Sequence, residues 1–152
     1  MSRAAAKYAL SEDGRPIVLR YLAISAGLNF AWEIAQLPLY TIWRTGSPGE
    51  ILFAAVHCTL GDVLIAAGSL LLALLLVGTP WRRGQLKLGR TACATVLLGL
   101  AYTLFSEWIN VSVRGSWAYA PAMPLLPPLG TGLAPLLQWL AIPPLGFALA
   151  QR

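Results

Sequence analysis

Four long apolar runs constrain this chain more than any other feature. They cover roughly residues 17–39, 51–78, 91–113 and 133–150. A helix crossing the hydrocarbon core of a bilayer needs about 20 mostly apolar residues at 1.5 Å each. Every run is at or near that length. Composition agrees, since 57% of the 152 residues are hydrophobic and only 11% are charged, against about a quarter charged in a soluble domain. The chain therefore reads as a single integral membrane domain over 1–152, an all-α polytopic membrane protein with about four transmembrane helices. The first sixteen residues are polar and include Glu12 and Asp13. The run after them is too long for the apolar part of a cleaved leader, so a retained span is expected.

The connections differ in character. Thr41 to Glu50 is short and carries Gly46, Ser47, Pro48 and Gly49, which are turn formers. Residues 79–90 hold four positive charges and no acid. Arg114 to Gly132 holds four prolines and three glycines, so a Pro-rich re-entrant or surface loop is expected before the last span. Pro143-Pro144 in the middle of that span predicts a kink or a break. The net charge of +5 does not mark a nucleic-acid binder, because the basic residues sit in short segments beside apolar runs. Four Lys and Arg lie at or before Arg20 and four in the 79–90 loop, whereas the other two connections have only Arg44 and Arg114. That asymmetry predicts both termini and the 79–90 loop on the cytoplasmic side, in a cell membrane of the bacterial inner-membrane type.

Against this apolar background, a few polar side chains stand out. Asn29, Glu33 and Gln36 are spaced i, i+4 and i+7, which puts them on one helix face; Ser25 and Tyr40 extend it. A carboxylate inside a membrane normally faces a partner or a cavity. The predicted topology sets depths. Glu33 and Glu107 each fall about 9 Å from the outer ends of their spans, and His57 at about the same level. Asp62 falls about a turn and a half deeper, and Gln138 about 8 Å below the outer start of its span, with Asn110 nearer the surface. The acids, the single histidine and the amides thus concentrate in the outer half, and the inner half is expected to be nearly bare of polar groups. Trp32, Trp108 and Trp139 would wall an apolar pocket there, while Trp43 and Trp117 suit an interfacial aromatic belt.

Other uses of these residues remain open. Glu33 and Glu107 could be protonated glue between helices, and His57 a packing residue. The 79–90 loop could also hold anionic lipid head groups. Cys58 and Cys93 fall at different depths, so no disulfide between them is expected. No nucleotide-binding loop, metal-spaced cysteine pair or nucleophile elbow is present. One histidine and scattered carboxylates give only a weak metal signal, and neither a metal nor a cofactor is expected.

Asn29-x-x-Trp32-Glu33 resembles the N-x-x-W-E pattern of the small integral-membrane terpene cyclases of meroterpenoid pathways. The grouping of Glu, Asn and Trp with one His is more loosely similar to sterol isomerases of the emopamil-binding type. Both resemblances imply a carboxylic acid working in an apolar cavity, with Glu33 as proton donor in the first. The function expected is an intramembrane enzyme or binding protein for a lipid-like or isoprenoid small molecule. Glu33, His57, Asp62 and Glu107 are the candidate acid–base residues. Asn29, Gln36, Asn110, Gln138, Trp32, Trp108 and Trp139 are the candidate ligand-binding residues. The expected partners are membrane lipid and an apolar small molecule, with no nucleic acid. Two alternatives stand beside this reading. One is a non-enzymatic subunit whose polar face docks a membrane-protein partner or a second copy. The other is a transporter of protons, metal or a small solute, which the aliphatic stretch Leu70 to Val77 disfavours.

Overall fold

The computed structural model describes residues 15–77 and 88–152. The basic tail and most of the basic 79–90 loop lie outside the described residues. Helix α1 spans Arg15–Gln36, and a 3-10 turn follows at Leu37–Leu39. Pro38 lacks the N–H that would bond the carbonyl of Ile34, so the α pattern ends there. A single short turn, α2 (Ile42–Thr45), leads to α3 (Pro48–Val77). The start of α3 is a reciprocal cap. The Glu50 N–H donates to the Ser47 hydroxyl, while the Ser47 N–H donates to a Glu50 carboxyl oxygen at 2.8 Å. Pro48 takes the first helical position, where no N–H is needed.

Helix α4 spans Leu88–Glu107 and widens into a π-helical segment at Trp108–Arg114. Gly115 ends it with a φ of 61°, a left-handed conformation that favours glycine. A loop follows, pinched by two short antiparallel strands, β1 (Leu125–Leu126) and β2 (Thr131–Gly132), with Leu125 opposite Gly132. Helix α5 spans Leu133–Ala150. It runs through Pro143 and Pro144 without a break, which corrects the expected break. The two prolines leave the carbonyls of Trp139 and Leu140 without helical donors. The helix persists because Pro143 is almost fully buried against its neighbours, and packing overrides the local cost.

Four helices, α1, α3, α4 and α5, are long and apolar enough to cross a membrane. The protein is an all-α, four-span membrane protein. Helices α1 and α4 each pack against both α3 and α5, so the four form a bundle with α1 and α4 on a diagonal. The core gathers Ile17, Tyr21, Leu70, Leu74, Phe147 and Ala150, away from the 115–132 loop. The Tyr21 ring stacks on Phe147 with centroids 4.3 Å apart. This half is less bare than its sequence implied. Tyr21, Ser25, Thr91 and Thr95 are buried there. Thr95 is satisfied by donating to the Thr91 carbonyl at 2.8 Å, as helical threonines can.

The opposite end is capped. The Thr41 N–H donates to the Ala118 carbonyl and the Ala120 N–H to the Leu39 carbonyl, both at 2.9 Å. Tyr40 and Tyr119 form the bridge between these segments, and their rings lie 5.6 Å apart. The Pro-rich loop is thereby fastened over the ends of α1 and α3.

Candidate functional site

Under this cap lies a cavity of about 1210 Å³. Glu33, His57, Asp62 and Glu107 all line it, one or two from each of three helices. Gln138 of α5 joins them and is the centre of the polar network. Its amide nitrogen donates to Asn29 Oδ1 at 2.7 Å and to Asp62 Oδ2 at 2.8 Å, and lies 3.4 Å from Glu33 Oε1. Gln36 donates to the same Glu33 oxygen at 2.7 Å. One glutamine side chain therefore ties α1, α3 and α5 together. Gln138 is 2% exposed and Glu33 6%. Such groups are costly to bury unless paired, and these are paired.

Glu107 lies in a second polar group. It accepts a hydrogen bond from the Tyr119 hydroxyl of the cap. Burial, and after it the bond to Glu107, raises the Tyr119 hydroxyl above its ordinary pKa of 10.0. Tyr40 is likewise raised, chiefly by burial and next by the charge of Glu107. Trp117, also from the cap, lines the cavity, and its buried indole N–H has no partner among the described residues. Thr103 of α4 lines the cavity at 6% exposure, and its hydroxyl also lacks a partner.

The remaining candidates separate. Asn29 lies behind Gln138 rather than on the main cavity, and its amide nitrogen is held by the Ser25 carbonyl at 2.9 Å. Asn110 borders the cavity, with its amide bonded to the Ser106 carbonyl at 2.8 Å. Trp139 is 3% exposed and forms a wall. Trp32 instead donates its indole N–H to Gln36 at 3.1 Å, outside the lining. Trp108 is 53% exposed and packs beside Phe105 on the outside of the bundle. Trp108 follows the buried Glu107 by one residue, about 100° round the helix, and so falls on the exposed stripe of Tyr102 and Phe105. His57 lines the mouth, stacked on Phe53 at 5.4 Å, with no hydrogen bond among the described residues.

Tyr119, Thr103 and Trp117 were not singled out as site residues from sequence. Two of them lie in or beside a proline-rich loop with no periodicity to read, and a threonine in an apolar helix carries no signal. Cys58 is a free thiol on the cavity wall, and Cys93 is a free, exposed thiol. Among the described residues, no cluster of three or more His, Cys, Asp or Glu is arranged to hold a metal ion.

The cavity has one polar end and one apolar slope. Beyond the acids its lining continues through Leu64, Leu72 and Leu98. The exposed side chains on its rim come mainly from α3 and α4, including Phe53, Leu64, Leu72, Tyr102 and Phe105. Its mouth is therefore a slit between those two helices. No family model, no characterised protein and no solved structure matches this chain.

Proposed function

We propose that this protein is an intramembrane enzyme or binding protein for a lipid-like or isoprenoid small molecule. The observation that carries the reading is the cavity of about 1210 Å³, with hydrogen-bonded acids at one end and a mainly apolar slope of Leu64, Ile65, Leu72 and Leu98 beyond them. A mostly apolar pocket with a few convergent polar groups is the usual form of a small-molecule site. Glu33 and Asp62, held by one amide, are placed for proton transfer to a bound molecule. Gln36 and Gln138 orient them, and His57 at the mouth is the candidate relay. The asymmetry of Lys and Arg supports a cytoplasmic position for both termini and an outward-facing cap, in a bacterial inner membrane.

Gly61 offers a test. A side chain added there meets nothing within 4 Å, and Gly61 lines the cavity. Gly61→Phe should therefore fill the space without disturbing the bundle. The parent, purified and analysed by mass spectrometry of its extracted lipids, should retain an apolar small molecule that Gly61→Phe does not. Glu33→Gln should fold, keep the molecule and lose any turnover of it. Identical lipid profiles for the parent and Gly61→Phe would refute the reading. Near-parent behaviour of Glu33→Gln in turnover would favour a docking role for the acids.

A further inference from the structure

Glu33, Asp62 and Glu107 face one cavity, yet among the described residues no Lys or Arg lines it. The hydrogen-bond inventory is just as one-sided. The donors available reach one oxygen of each carboxyl group. Gln36 and Gln138 reach Glu33 Oε1, Gln138 reaches Asp62 Oδ2, and Tyr119 reaches Glu107 Oε2. The Glu33 and Asp62 carboxyl groups also face each other at hydrogen-bond range, and the Trp117 indole faces Glu107 without a well-aligned bond, so the carboxyl oxygens still outnumber the donors aimed at them.

Thr103 adds an independent sign. Thr59 and Thr95 are satisfied by their own helices, donating to the Ala55 and Thr91 carbonyls at 2.7 and 2.8 Å. Thr103 has no such bond, although it is more than nine-tenths buried and lines the same cavity. Leaving a buried hydroxyl unpartnered is unfavourable unless something else meets it.

From this surplus of acceptors we infer that the natural occupant is a single-chain amphiphile with a protonated primary amine head, held between Glu33, Asp62 and Glu107. This rests on the small-molecule reading above and specifies its ligand. An ammonium offers three N–H donors and no acceptor, as in a lysine side chain. It also brings the countercharge that the lining lacks. A phosphate or carboxylate head would instead meet three acids with only His57 at the mouth able to offset them, in a low-dielectric site where like charges repel strongly. The slit fits the tail. Leu72 lies ten residues beyond Asp62 on α3, about 15 Å along the helix at 1.5 Å per residue, and the wall between carries Leu64 and Ile65 with Ser69 as its one polar side chain. The slit opens between α3 and α4, so the chain can enter from the bilayer while the cap stays closed.

The test compares three probes of equal chain length, tetradecylamine, tetradecanol and tetradecanoate. The full chain is held in nanodiscs of zwitterionic phosphatidylcholine, and binding is read from the change in intrinsic tryptophan fluorescence, to which Trp117 and Trp139 on the cavity wall contribute among six tryptophans. Saturable binding is expected for the amine, at least tenfold tighter than for the alcohol, with none for the carboxylate. The triple variant Glu33→Gln, Asp62→Asn, Glu107→Gln should lose the preference for the amine and keep alcohol binding. The comparison within the parent protein stands even if that variant does not fold. Carboxylate binding equal to the amine's, or alcohol binding as tight, overturns the amine assignment and leaves the small-molecule reading in place. Absence of saturable binding for all three probes overturns both.

Discussion

Gly99 is the position where one methyl group should cost most. It lies on α4 directly against the ring of Trp139, the residue after Gln138 on α5. A Cβ at 99 would sit 2.8 Å from Trp139 Cδ2 and closer still to Cε3 and Cζ3. Carbon atoms in contact prefer about 3.5–4.0 Å, so the indole must move by more than an ångström. It has little room, because Trp139 is 3% exposed and belongs to the buried core. Overpacking of this kind costs about 1–3 kcal/mol, and a shift this large belongs near the top of that range. Alanine recovers about 1 kcal/mol in helix propensity over glycine. Gly99→Ala should therefore lose about 2 kcal/mol net, from those two contributions. Gly68→Ala is the internal control, since an added Cβ there meets nothing within 4 Å. It should be neutral or gain up to about 1 kcal/mol, from propensity alone. Reversible unfolding in mixed micelles, followed by tryptophan fluorescence, measures both. The displaced indole should also pull Gln138 off Asn29 and Asp62, so Gly99→Ala should weaken ligand retention as well as stability. Equal stability of the two variants would refute the close packing of α4 on α5 at this point.

Gln138→Leu removes the donor shared by Asn29 and Asp62 and should cost about 1–3 kcal/mol for the acceptors left buried, measured in the same unfolding assay. Tyr119 holds its proton beyond the ordinary value of 10.0 in the folded state. Its contribution is therefore complete below that pH and declines as pH rises through and past it. Tyr119→Phe should flatten part of the alkaline loss of stability from about pH 10 upward, and an unchanged slope would count against the Tyr119–Glu107 contact. Reporter fusions after residue 45 and near residue 120 should report the outside, and fusions near residue 85 and at the C-terminus the inside. An external C-terminus would overturn the proposed orientation. Oxidation should not join Cys58 to Cys93, and a monomer lighter by two hydrogen atoms would refute their separation.

Much of this molecule was legible in its sequence because the bilayer leaves few choices. Unpaired backbone groups are intolerable in hydrocarbon, so an apolar run of about twenty residues becomes a helix. Four such runs determined four spans; α3 starts at Pro48 rather than the expected 51, because Ser47 and Glu50 cap each other there. Helical periodicity likewise put Asn29, Glu33 and Gln36 on one face before any neighbour was known. Tertiary structure decided what that face meets. Periodicity describes a helix alone and says nothing of which helix lies opposite, so the role of Gln138 as the amide joining three helices was not visible. Trp108 was misjudged because depth alone was used; it follows Glu107 by about 100° round the helix, which puts it on the exposed stripe of Tyr102 and Phe105. The double proline failed to break α5 because burial of Pro143 outweighs the two lost hydrogen bonds. The loop from 115 to 132 had no period to read, so only its backbone bonds to Leu39 and Thr41 bring Tyr119 onto Glu107. Local rules act within one helical turn or one span. The cavity exists only where four spans and a loop converge.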